Sequence, residues 1–181
     1  MTDIIHPWSV LVPVVQIPDT GLQRDIEANA SERAGVAVLG NIVDVTALRA
    51  SLVLSPIADR NVHVVGRVKG RVVQTCVVSL EPVETELDEA IDQIFAPETQ
   101  IRELADLVDE NIESEDDTPD PPEPILNGFI DIGHLATDAL FLALDPYPRK
   151  PGVAFEPVVQ ELDPEDHPFA ALKALQSDPK S

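Results

Sequence analysis

The sequence predicts an α+β fold: a largely antiparallel, curled sheet, with a barrel-like form among the options, two or three packed helices and one long acidic loop. Three observations predict it. Runs rich in Val, Leu and Thr succeed one another without regular intervening helices, which argues against a doubly wound parallel sheet. One of those runs alternates sharply between apolar and charged residues. The stretch DLVDENIESEDDTPDPPEP, finally, has too few large apolar groups to offset the entropy of ordering it.

In chain order, WSVLVPVVQI opens as an apolar strand, in which Pro13, lacking a ladder donor, marks an edge or a bulge. After the turn-prone PDTG, a second extended piece lies around LQRDIEA. In ANASERAGVAVLGN, Asn29 or Ser31 can cap a short helix that Gly40-Asn41 can stop. Residues 43–54 and 62–73 then form the arms of a β-hairpin joined by the turn cluster SPIADRN. In the second arm Val62, Val64, Val68 and Val72 share one face with Gly66 and Gly70, while His63, Arg67, Lys69 and Arg71 point the other way.

LDEAIDQIFAP is ambiguous. Leu87, Ala90, Ile91, Ile94 and Phe95 match helical spacing, yet Val83, Thr85, Leu87, Ile91 and Phe95 also fall on one face of a strand, and periodicity slightly prefers the helix. An acidic loop, disordered over about 105–124, projects from the fold, and order resumes near Ile125. ILNGFIDI suggests a strand. Asp131 can cap the helix GHLATDALFLAL, which is apolar almost all round and so largely buried. Pro146, Pro148 and Pro151 forbid its continuation and hold an extended arm that carries Tyr147, Arg149 and Lys150. HPFAALKALQ is a last amphipathic helix, and residues 177–181 are a flexible tail on a single domain of residues 1–176.

Composition narrows the function. The formal charge of −21 opposes long-range attraction to nucleic acid or anionic lipid and favours basic partners, although a local cationic patch can still touch phosphate. A single cysteine, Cys76, excludes an intrachain disulfide and any multi-thiolate zinc site made by this chain alone. The first residues lack a basic leader, and Pro7 and Pro13 break the apolar run, so a cytoplasmic protein with no membrane segment is expected.

No motif rises to an enzyme signature: there is no phosphate loop, no GxGxxG, no GxSxG and no HExxH. The four histidines are scattered singly. No metal, cofactor or small-molecule substrate is expected. Cys76 reads as a small buried hydrophobe at a strand end rather than a reactive thiol. The stripe Arg67, Lys69, Arg71 has two open readings: cations that track phosphates, or partners of Glu81, Glu84, Glu86 and Asp88 on the next segment.

At QTCVVSLEPVE, then NGFIDIGHLATDALFLALDPYPRKPG, then HPFAALKAL, the order and spacing resemble the YceD family of large ribosomal RNA subunit accumulation proteins, over nearly the whole chain. The residues that carry the likeness are Cys76 with Leu80 and Pro82, Asp131, Pro146 and Pro148 of the arm, and Phe169. Other branches carry a CxxC at the first motif. Here its second position is Ser79, so metal or redox chemistry does not transfer. The family pattern also makes the stretch after Pro82 extended.

The resemblance implies a non-enzymatic factor that supports accumulation of large-subunit ribosomal RNA and assembly of that subunit. Its partners would be a basic ribosomal protein or another assembly factor, and Arg67, Lys69, Arg71, Tyr147, Arg149 and Lys150 would contact either precursor ribosomal RNA or such a partner. Two alternatives stand beside it: an acidic chaperone of a small basic ribosomal protein that never touches RNA, and a cryptic RNA-processing enzyme.

Overall fold

The structure is a computed structural model that describes residues 6–101 and 121–154. The chain divides into two units, residues 1–151 and 152–181. Of the second unit only residues 152–154 are described. The elements of the first are β1 (Leu11–Pro13), β2 (Leu22–Glu27), α1 (Ala30–Leu39), β3 (Asp44–Pro56), β4 (Val62–Thr75), β5 (Pro82–Pro97), β6 (Glu123–Ile125), β7 (Phe129–Asp131) and α2 (Ile132–Leu142). The expected α+β class is what the structure shows.

The main sheet runs in the order β2-β3-β4-β5-β6, and a separate two-stranded ladder pairs β1 with β7. All neighbours in the main sheet are antiparallel except β5 and β6. The barrel-like form is corrected. With six residues in β2 and three in β6, the outer strands are far shorter than the central three and do not pair with each other, so the sheet stays open.

Alternation along β4 decides which face is buried. Val62, Val64, Val68 and Val72 are at most 1% exposed, and they meet Leu48, Leu52 and Leu54 of β3 with Ile91 and Phe95 of β5. Each such side chain contributes about 1.5–3 kcal/mol by leaving water. From α2, Ile132, Leu135, Ala136, Ala139 and Leu140 complete this layer. The helix lies so close that a Cβ at Gly70 would stand 2.6 Å from Leu140 Cδ1, which is why the strand carries glycine there.

Both helix starts form as the sequence suggests. Asn29 Oδ1 accepts from the backbone of Ser31 and Glu32, and Glu32 accepts in return from Asn29 N–H, closing a capping box. Asp131 Oδ1 accepts from Gly133 and His134 at the start of α2 and from Val10 N–H, so one carboxylate caps the helix and ties it to the entry strand. Asn127 (φ 52°) and Gly128 (φ 80°) make the tight turn into β7, closed by Phe129 N–H on Leu126 O.

LDEAIDQIFAP is strand, as the family pattern makes it and against the slight periodic preference for helix, because residues four apart share a face in either period and the long β4 needs a partner from Val62 to Thr75. The opening strand is only Leu11–Pro13, since the chain turns at once into a 3-10 turn over Val14–Gln16. β6 begins at Glu123 and pairs with the end of β5. As expected, α2 is largely buried, although Leu142 in its last turn reaches solvent. The final helix, most of the acidic loop and the tail lie outside the described residues.

Candidate partner-binding surface

On the outward face of β4, Arg67, Lys69 and Arg71 stand opposite the carboxylates of β5. Arg67 Nε donates to Asp88 at 2.7 Å, and Lys69 Nζ reaches the other oxygen of the same carboxylate at 2.9 Å. Arg71 bridges Glu84 (3.2 Å) and Glu86 (2.5 Å). Lys69 and Arg67 hold the Asp88 carboxyl below its ordinary range, and Glu86, then Glu84, raises Arg71. Of the two readings of the stripe, cross-strand ion pairing is the one the structure shows. Solvent-screened pairs of this kind contribute little to stability, but they neutralise the cations locally.

The same face holds a shallow groove lined by Asp25, Glu27, Arg49, Arg67 and Lys69, running on to Arg71, Glu86 and Asp88. Its charges alternate in sign. Such a lining creates no single-sign field for a phosphate chain to follow.

Cys76 sits where β4 ends. The loop to β5 is closed by Cys76 N–H on Glu81 O (2.8 Å) and Leu80 N–H on Cys76 O (3.0 Å), and Leu80 takes a left-handed φ of 60° to allow it. Backbone N–H groups of Val78, Ser79 and Lys150 all point at Sγ, each at 3.4 Å. The Ser79 hydroxyl, and then these backbone donors, lower the thiol to about 6 against the opposing effect of burial. Cys76 is buried as expected, and its sulfur faces three backbone donors that favour the thiolate form.

The proline arm is docked on this loop. Val77 N–H donates to Pro148 O at 2.9 Å, Gln74 Nε2 to Asp145 O at 3.0 Å, and Lys150 Nζ pairs with Glu81 at 2.9 Å. That pairing lowers the Glu81 carboxyl. Pro148 is buried, whereas Pro146 and Pro82 are exposed. Tyr147 is 70% exposed, and Arg149 is exposed with no ion-pair partner among the described residues. The structure thus brings Cys76, Leu80, Pro148 and Lys150 together, leaves Tyr147 and Arg149 outward, and places Asp131 elsewhere, at the cap of α2. Phe169 lies outside the described residues.

One cluster escaped the sequence reading. His6 and His134 stack with ring centroids 3.5 Å apart, and His134 Nε2 lies 3.3 Å from Asp138. Burial raises the carboxyls of Asp138 and Glu123 beside them. Nothing in the sequence signals a contact between residues so distant along the chain. Among the described residues no three His, Cys, Asp or Glu side chains are placed to hold a metal ion, and no helix is long and apolar enough to cross a membrane.

No curated protein and no solved structure matches the chain. Residues 64–176, however, match the family described as Large ribosomal RNA subunit accumulation protein YceD, a name that implies a role in accumulation of that RNA. The match begins within β4, takes in the Cys76 loop, α2 and the proline arm, and covers more than half of the chain, which therefore belongs to the YceD family.

Proposed function

We propose that the protein supports large-subunit ribosomal RNA accumulation by binding, not by catalysis, and that its principal partner is a lysine- or arginine-rich protein of the assembling subunit. One observation carries this reading: the β4 cations Arg67, Lys69 and Arg71 are paired with the chain's own carboxylates, so they form no free stripe for RNA to follow. A body of charge −21 attracts basic chains and repels RNA at a distance. No step of bond making or breaking is needed, and a cytoplasmic site of action fits such a partner.

A second contact, with precursor ribosomal RNA, is favoured at the arm alone, where Tyr147 and Arg149 are exposed on a segment already held in place. Prior ordering lowers the entropy lost on docking. Cosedimentation with large-subunit precursor particles checks both ideas. Arg67→Gln with Lys69→Gln should leave the cosedimenting fraction unchanged. Arg149→Glu with Tyr147→Ala should reduce it several-fold without altering the circular dichroism spectrum. The opposite pattern would return RNA contact to the stripe, and cleavage of precursor RNA that is lost with a single carboxylate would make the protein an enzyme.

A further inference from the structure

Among the described residues, one side of β5 is unpaired along most of its length. β4 pairs with it from Pro82 to Phe95, but on its other side β6 reaches only Phe95, Ala96 and Pro97. From Val83 to Ile94, alternate residues therefore turn an N–H and a C=O toward no strand among the described residues. An edge this long is a template for an added strand.

Its charge selects what can be added. Glu84, Glu86, Asp88, Glu89 and Asp92 are all exposed along this stretch. Arg67, Lys69 and Arg71 offset Glu84, Glu86 and Asp88, and His63 lies 2.7 Å from Asp92. Glu89 has no ion-pair partner among the described residues. A second copy of the chain would set carboxylates against carboxylates, which disfavours self-pairing. RNA supplies no peptide groups to continue the ladder and is repelled by the same charges.

We propose that the open edge of β5 accepts an extended lysine- or arginine-rich protein segment as an added antiparallel or parallel strand. The inference rests on the binding role above and names the chemistry of the partner. Ladder hydrogen bonds hold the segment, and cationic side chains on its outward face meet Glu84, Glu86, Asp88 and Asp92.

Amide hydrogen exchange of the full chain, with and without a peptide of alternating lysine and valine as long as this edge, tests it. Exchange should slow by about tenfold or more at alternate residues between Val83 and Ile94, and added salt should weaken the effect. A glutamate–valine peptide should do nothing. Glu84→Lys with Asp92→Lys, or the milder Asp92→Asn, should lose the protection while the remaining sheet amides stay protected. Amides already slow in the free protein, a footprint on the Arg49 groove or the arm, or the same footprint from an RNA oligonucleotide would overturn the proposal. A chain that fails here yet still cosediments with precursor particles loses the edge and keeps the binding role. Failure of both removes the role as well.

Discussion

At Cys76 a short loop does chemistry that residue type alone does not reveal. The folded chain surrounds the sulfur with the Ser79 hydroxyl and three backbone donors, so it binds the thiolate more tightly than the unfolded chain does. This fixes the sign of the pH effect. The stabilisation is fully present above the ordinary thiol pKa of about 8.5 and is lost as pH falls through the folded value of about 6. Urea unfolding across that window should show stability rising with pH in the native protein, and a flatter rise in Cys76→Ala. Equal slopes would mean that the sulfur is a neutral thiol. The sequence showed that Cys76 ends a strand, but the convergence of Ser79 and Lys150 on it depends on the arm folding back, which no local pattern encodes.

Among the elements, β4 was legible because its alternation is strict: valines on one face and cations on the other leave one solution. β5 was not, since Leu87, Ile91 and Phe95 satisfy both periods and only pairing with β4 decides. The caps at Asn29 and Asp131 were readable because each acts within its own helix turn. Register leaves a sharper test at Gly66, where an added Cβ would fall well inside contact distance of the Ser51 carbonyl oxygen and 2.8 Å from Leu52 Cδ2. Backbone cannot yield as a flexible side chain can. Gly66→Ala should therefore destabilise by about 1–3 kcal/mol, comparable to a Leu52→Ala cavity at about 2–5 kcal/mol, whereas Gly128→Ala meets no atom within 4 Å and costs only the strain of its positive φ. Chemical denaturation of the three variants ranks them. A neutral Gly66→Ala would contradict the close approach of β3 and β4.

For the whole molecule, net charge was plain from composition, but its arrangement was not: whether Arg67, Lys69 and Arg71 face solvent alone or face β5 depends on a pairing fixed only in three dimensions. The stack of His6 on His134 was hidden for the same reason. The paired stripe changes what the molecule presents to its surroundings, from a strand of free cations to a surface of mixed charge on a chain of net charge −21. Crosslinking within large-subunit precursors tests this most directly, with a carboxylate-to-amine reagent for protein neighbours and ultraviolet light for RNA. The expected result is a nuclease-resistant link from the carboxylates of β5 to lysines of a basic protein, with no RNA attached at β4. Ultraviolet links to RNA at Arg67, Lys69 or Arg71, with an association that nuclease abolishes, would contradict it.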